Sequence, residues 1–332
     1  MKAYKSFFAI VFFFVIGSLS IPVSAAPSGE PLRLQLQWTH QAQFAGYYVA
    51  LEKGFYLARN LDVSIIPGGP KIDPMVELAE GRADFATSWL STALLRRDQG
   101  QPLVHVTQII HHSNLIMIAW KDSENPSVAD LIGKKISIWE GDLRAPFVAW
   151  LKAESVATPL LYPQYYTVNL FLRKGVQACS AMYYNELHML YQAGVDEDDI
   201  VTYFLKDYHF GFPEDGIYCM ERTLRLQPES VAAFREATLD GWRYAAEHPV
   251  EALDITMKYV NDANVMTNRS HMKWMLEKVL ASSLPAKGDS WKLGELSQAD
   301  YERTMRIMQE QGILTATIPI ELFTGGVITR VP

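Results

Sequence analysis

Three tryptophans stand at matching places in this chain. Trp38 ends a short run in which apolar and polar residues alternate. Trp89 follows Ala83-Asp-Phe-Ala-Thr87, with Ser88 between, and Trp139 ends Lys135-Ile-Ser-Ile-Trp139. Each stands at the carboxyl end of a segment expected to be a parallel strand, where ligand crevices form in open α/β sheets. Their faces suit a flat ring, uncharged or cationic, with roughly 0.5–1.5 kcal/mol per aromatic pair beyond simple burial. One such tryptophan is usually core packing. Three in equivalent positions argue for a cleft.

Polar residues cluster near the same ends. They are Ser88, then Glu140 with Gly141 and Asp142, then Asn185-Glu186 after Met182-Tyr-Tyr184, and then Glu214-Asp215-Gly216. A carboxylate accepts hydrogen bonds from ring N–H and amino groups. Glu186 leads these acceptors because it follows an apolar strand; its plainer reading is a first-turn helix glutamate favoured by the dipole. Gly46 and Tyr47 fall near the start of the first helix, below Trp38. The ligand-binding set predicted on this basis is Trp38, Tyr47, Ser88, Trp89, Trp139, Glu140, Gly141, Tyr184, Asn185, Glu186 and Asp215. Arg144 is the cation that would meet an anionic group there. An anion site would otherwise want Arg, Lys or helix N-termini.

Other chemistries lack their spacing. His40, His105, His111 and His112 share one half, but no HxxxH or HExxH occurs, so no metal is expected. Ser88 and Ser91 have no GxSxG elbow. There is no GxGxxG and no P-loop, and Gly68-Gly69 is a turn. No catalytic residue and no cofactor is predicted.

The elements that must position these residues are read from periodicity. Strands are expected at Leu32–Gln37, Leu61–Ile66, Ala83–Thr87, Leu103–Ile110, Leu115–Trp120, Lys135–Trp139, Ala178–Tyr183 and Ile200–Phe204. Helices are expected at Phe44–Leu57, from Pro74 (capped by Asp73) to Gly81, and at Leu90–Arg97, Ser127–Ile132, Pro146–Glu154 and Tyr184–Ala193. Gly211–Gly216 reads as a turn-rich connector. Beyond it the chain is mostly helical from Glu221 to about Gln311, with starts at Pro228 and Pro249. This β-α-β rhythm implies mostly parallel sheets flanked by helices, and its restart after Trp120 implies a second lobe.

Composition bounds the class. The chain has 332 residues, 49% hydrophobic and 20% charged, which suits a folded chain of about two domains. Its net charge of -7 with no Lys/Arg run argues against nucleic acid as a partner. Met1–Lys5 is basic, Phe7–Ile16 is apolar, and Val23-Ser-Ala-Ala26 is a small-residue cleavage site. Residues 1–26 therefore read as a secretory signal peptide, too short in its apolar run to anchor. No Cys follows that run, so a lipid anchor is not expected. Removal takes two lysines and no acid, moving -7 to -9. Cys179 and Cys219 leave one disulfide or two buried thiols equally open.

Longer motifs carry a resemblance. Leu36-Gln-Trp38 with Phe44-Ala-Gly-Tyr-Tyr-Val-Ala-Leu-Glu-Lys-Gly-Phe-Tyr56 resembles the opening of a family of ABC-transporter substrate-binding proteins related to fungal thiamine-pyrimidine synthase. Glu80-Gly-Arg-Ala-Asp-Phe85 with Ser88-Trp89, Leu131–Ile136 with Trp139, Met182–Glu186, Phe212–Gly216 and Ala237–Trp242 extend it over nearly the whole mature chain. The resemblance implies an α/β, bilobal periplasmic-binding-protein fold of type II, with two lobes joined by crossover strands and the ligand cleft between them. Lobe I is expected at 27–120 and 217–332, lobe II at 121–216, with hinges near Trp120-Lys121 and Pro213–Ile217.

It further implies a monomer in the periplasm that hands a pyrimidine precursor of thiamine, such as formylaminopyrimidine or hydroxymethylpyrimidine, to an ABC permease. Riboflavin, alkanesulfonates and taurine are ligands of relatives and stay open as alternatives, as does a sensor role. The fungal synthases use pyridoxal phosphate with a lysine, a histidine and a cysteine-rich run. Those positions here are Ser88, Thr92 and Tyr208–Phe212, so an enzyme is not expected.

Overall fold

The computed structural model describes residues 31–124, 126–286 and 291–326, so the expected signal peptide lies outside the described residues. The chain opens with β1 (Leu32–Gln35), α1 (Ala45–Glu52), β2 (Val63–Ile66), α2 (Pro74–Ala79), β3 (Phe85–Trp89), α3 (Leu90–Asp98) and β4 (Leu103–Gln108). A second series follows: β5 (Leu115–Trp120), β6 (Lys135–Trp139), α4 (Arg144–Ala153), β7 (Leu160–Gln164), α5 (Asn169–Leu172), β8 (Ala178–Met182), α6 (Glu186–Gln192) and β9 (Ile200–Phe204). Then come β10 (Asp215–Met220), α7 (Glu221–Leu226), α8 (Pro228–Glu247), α9 (Pro249–Asp262), α10 (Arg269–Ser283), α11 (Gln298–Glu310) and α12 (Ile320–Thr324).

Two five-stranded sheets result, ordered β2-β1-β3-β10-β4 and β7-β6-β8-β5-β9. Both are built alike. In the first, β1 runs parallel to β2 and β3, and β10 runs antiparallel to β3 and β4. In the second, β6 runs parallel to β7 and β8, and β5 runs antiparallel to β8 and β9. The sheets are thus mixed where mostly parallel ones were expected. The antiparallel strand is in each case the first one laid down after the chain crosses from the other lobe.

That crossing corrects the expected boundaries. Leu115–Trp120 is an interior strand of the second sheet, so the first crossing is 109–114 and not Trp120-Lys121. Asp215 and Gly216 already pair with Trp89 and Ser88 in the first sheet, so the return lies at 209–214. The connector expected at Gly211–Gly216 overlaps β10 at Asp215 and Gly216, where Gly211, Pro213 and Gly216 obscure a strand pattern, and Ile217–Met220, for which no element is expected, complete the strand. The unexpected β7 is an edge strand, where Pro163 is tolerated because an edge N–H needs no partner.

Local chemistry explains the other ends. Asp73 caps α2 by accepting from the Met75 N–H at 2.9 Å, with Pro74 in the first turn. Helix α1 stops before Gly54, whose φ is 73°. The first strand stops at Gln35, and the Gln37 N–H turns to Thr87 Oγ1 at 2.9 Å.

The first lobe's core is aromatic. Phe85 of β3 stacks on Phe234 of α8 at 3.9 Å between ring centres. Helices α1 and α8 cross at Gly46 and Gly241. A Cβ on Gly46 would lie 2.3 Å from the Trp242 ring, and one on Gly241 would lie 2.2 Å from the Gly46 carbonyl oxygen. Burial of Trp242 and its neighbours stabilises this crossing, at roughly 1.5–3 kcal/mol for each large apolar side chain. Cys179 in β8 and Cys219 in β10 are free, buried and in different sheets. No described helix is long and apolar enough to cross a membrane.

Candidate functional site

Asp215 is the first residue of β10 and lies opposite Trp89 in the first sheet. Its carboxyl is buried and takes a hydrogen bond on each oxygen. Gln37 Nε2, just past β1, donates to Oδ1 at 2.8 Å, and Gln43 Nε2, just before α1, donates to Oδ2 at 2.7 Å. Burial raises Asp215 to about 7, and the two amides only partly offset this. Gln37 Oε1, the Tyr47 hydroxyl and Trp89 Nε1 are buried near it without a hydrogen-bond partner among the described residues. Such groups carry a desolvation cost that a polar ligand relieves.

Glu214 precedes it on the return crossing. Asn114 Nδ2 donates to Glu214 Oε2 at 3.0 Å, Ser113 Oγ donates to Oε1 at 3.3 Å, and the Asn114 backbone N–H also donates to Oε1. Burial raises this carboxyl to about 8, with Asp215 adding to the shift and Asn114 opposing it.

The second lobe supplies Glu186 at the start of α6. Its Oε2 accepts the Met182 N–H at 2.7 Å, and its Oε1 accepts Asn185 Nδ2 at 2.9 Å. Burial raises it as well. Tyr184 is pushed well above the usual tyrosine range by burial, then by Asp215, Glu214 and Glu186 in that order. The two lobes meet beside these carboxyls, where the Tyr183 N–H donates to the carbonyl of Asn114, the residue that holds Glu214, at 2.9 Å. Tyr47 is raised likewise by burial and Asp215.

The tryptophans border this cluster unequally. Trp89 ends β3 and is half-buried. Trp38 is half-buried, and its ring lies 5.1 Å from that of Tyr166 in the other lobe. Trp139 packs edge-on against Phe147 at 6.0 Å, and its backbone N–H donates to Ser180 Oγ at 3.1 Å. Ser88 is buried inside β3 opposite Gly216.

Two expected positions fall elsewhere. Glu140 is exposed and pairs with Arg144 at 3.5 Å, so neither joins the buried cluster. Gly141 is exposed as well, at φ 74°. Their neighbour Asp142 instead reaches the other lobe, where Ser91 Oγ and Thr92 Oγ1 donate to its Oδ2 at 2.7 and 2.8 Å.

Sequence reading did not single out Gln37, Gln43, Asn114 or Tyr166. The signal was a run of uncharged amides, Gln35, Gln37, Gln41 and Gln43, in an otherwise apolar segment. Such residues stay buried only when their amides are satisfied. Chemically, the site offers acceptors and aromatic faces and little positive charge. No described group of three or more His, Cys, Asp or Glu residues forms a metal site.

The chain and its fold have counterparts among known proteins. The family model described as NMT1/THI5 like matches residues 41–252. A formylaminopyrimidine-binding protein of Halalkalibacterium halodurans is 25% identical over 79% of this chain and 83% of its own length. The riboflavin-binding protein RibY of Chloroflexus aurantiacus is 25% identical over 90% of this chain and 86% of its own. Among solved structures, the periplasmic aliphatic sulphonate binding protein SsuA of Escherichia coli superimposes with a TM-score of 0.67 at 12% identity, covering 91% of this chain and all of that one. The shared architecture is the bilobal periplasmic-binding-protein fold.

Proposed function

Because the chain belongs to the NMT1/THI5-like family, we propose that it is an extracytoplasmic solute-binding protein that captures a pyrimidine precursor of thiamine, or a similar flat aminated heterocycle, for an ABC importer. The observation that carries this reading is the set of three buried carboxyls, Glu186, Glu214 and Asp215, that α6, the return crossing and β10 bring to the junction of the lobes. Amino and ring N–H groups of a heterocycle would donate to lone pairs of these carboxyls, and each such hydrogen bond contributes roughly 0.5–1.5 kcal/mol net. Trp38 and Trp89 would cover the ring faces, with Trp139 and Tyr47 at the edge. Gln37 Oε1 would accept a further donor, and Trp89 Nε1 would donate to a ring nitrogen.

A sulfonate would find no cation in this cluster, since Arg144 is held by Glu140 outside it. This separates the ligand from that of the sulphonate-binding neighbour, whose likeness is one of fold. Capture is by closure of the lobes about the two crossing segments. The expected signal sequence supports export, and the single-chain cleft supports action as a monomer beside a membrane permease. The residues of the site provide binding groups and no nucleophile with an adjacent base.

Calorimetry with formylaminopyrimidine, hydroxymethylpyrimidine, riboflavin and taurine tests the reading. Binding of a pyrimidine at micromolar strength or tighter, weakened by Trp38→Ala, is the expected result. Tighter binding of riboflavin would reassign the ligand to that of RibY. Binding of none of the four would sink the proposal.

A further inference from the structure

Helix α10 belongs to the first lobe, yet its side chains hold the loop of the second lobe that carries Glu186. His271 Nε2 lies 3.0 Å from Asn185 Oδ1, and His271 Nδ1 lies 2.8 Å from His188 Nδ1. Trp274 Nε1 donates to the Tyr183 carbonyl at 3.2 Å, and its ring stacks on His188 at 4.9 Å. Further along the same helix, the Ser282 carbonyl accepts the His111 and His112 N–H groups of the first crossing segment at 3.0 and 3.1 Å. One helix thus touches both the hinge and the loop of the candidate carboxylate.

The proton positions in this chain of contacts follow from one end. Glu186 Oε1 accepts from Asn185 Nδ2, so Asn185 presents Oδ1 to His271. That oxygen only accepts, so His271 Nε2 carries a proton. Burial lowers His271 to about 4, so the ring is neutral near pH 7 and its Nδ1 is a lone pair. His188 Nδ1 must then be the donor in the imidazole pair. Every link has one proton and one acceptor, and the order runs from His188 through His271 and Asn185 to Glu186.

We propose that His271, backed by His188, is a positioning residue that orients Asn185 and Glu186 from the opposite lobe, so that the ligand-binding carboxylate is presented in full only when the lobes close. This rests on the reading of Glu186 as a ligand acceptor. It makes the site sensitive to closure without any contact between His271 and the ligand.

Two measurements test it. Nitrogen-15 NMR of the imidazoles in the full mature chain reads the tautomers with and without hydroxymethylpyrimidine. With the probe bound, His271 protonated at Nε2 and His188 protonated at Nδ1, with the rings coupled, is the expected result. Any other pair of tautomers, or two uncoupled rings, in the probe-bound protein overturns the proposal. Calorimetry with hydroxymethylpyrimidine then reads the effect on binding. His271→Ala should weaken affinity about tenfold, the scale of one net hydrogen bond. His271→Gln, which keeps an acceptor and a donor, should restore most of it. In a Glu186→Gln background His271→Ala should cost much less. Equal losses in both backgrounds, or no rescue by glutamine, overturn the positioning role. A wild-type chain that binds none of the probes refutes the ligand assignment, whereas a chain that binds a probe with its imidazoles uncoupled refutes the positioning role.

Discussion

Asn114 and Glu214, one on each of the two segments that cross between the lobes, are hydrogen-bonded to each other through both the side chain and the backbone of Asn114. The Glu214 N–H returns a bond to the Ile110 carbonyl at 3.1 Å. The crossings are therefore stitched together at a buried carboxyl, directly beside Asp215. Asn114→Ala would leave Glu214 Oε2 without this donor in a buried setting. We expect a loss of stability of about 1–3 kcal/mol, the cost of an unsatisfied buried polar group. Urea unfolding monitored by tryptophan fluorescence checks it, and an unchanged midpoint would contradict the clamp.

The raised carboxyls give stability a pH dependence with a definite sign. Glu214 and Asp215 have folded values of about 8 and about 7, well above those of the unfolded chain. Between unfolded values of about 4 and these folded values the native state holds more protons, so the carboxyls' contribution falls from about pH 4 up to about 7 to 8. His105, His111 and His271 are lowered to about 4, 3 and 4 by burial, so their contribution is lost as pH falls below about 6.5. The two effects oppose each other below about pH 6.5 and only the carboxyls act above it, so ligand-free Tm should peak near pH 6.5 and fall from there to about pH 8. Glu214→Gln should flatten the alkaline slope. A Tm that climbs steadily from pH 6 to pH 9 would refute the assignment.

The hydrogen bonds from Ser91 and Thr92 to Asp142 join the lobes in this closed arrangement and must break on opening. Thr92 and Asp142 are partly exposed, so solvent screens part of the value of these bonds. Asp142→Ala should weaken ligand binding about three- to tenfold, mainly through faster release. Stopped-flow release rates and small-angle scattering of the liganded protein read this directly. An unaltered release rate would mean that the contact contributes nothing to closure.

Gly46 sits where α1 meets Trp242, with no room for a Cβ. Gly46→Ala should cost about 1–3 kcal/mol by forcing the helices apart, as overpacking of a filled core does. It should also disturb Tyr47, whose ring packs edge-on against Trp242 at 5.6 Å. Thermal unfolding gives the first effect, and ligand affinity of the surviving fold gives the second.

Much of this architecture was legible in the residues. Period-two and period-3.6 patterns placed most of β1 through β6, β8 and β9, because each strand or helix has one face that must be buried. Trp89 and Trp139 close β3 and β6 as expected, whereas Trp38 lies three residues beyond β1. Asp73 and Pro74 announced a helix start through local capping chemistry. Glu186 and Asp215 stood out as carboxyls next to apolar strands.

The tertiary structure alone decided the rest. Gln37 and Asp215 are separated by 178 positions, and Asn114 and Glu214 by 100. No local pattern encodes such pairs, because periodicity reports which face is buried and not which distant group lies against it. The same limit hid β10, whose insertion between β3 and β4 depends on the return crossing and not on its own sequence. It also explains Glu140 and Gly141, which follow a cleft strand yet face solvent. Position along the chain brought them to the correct strand end, but the turn after Trp139 directs Asp142, and not them, to the opposite lobe.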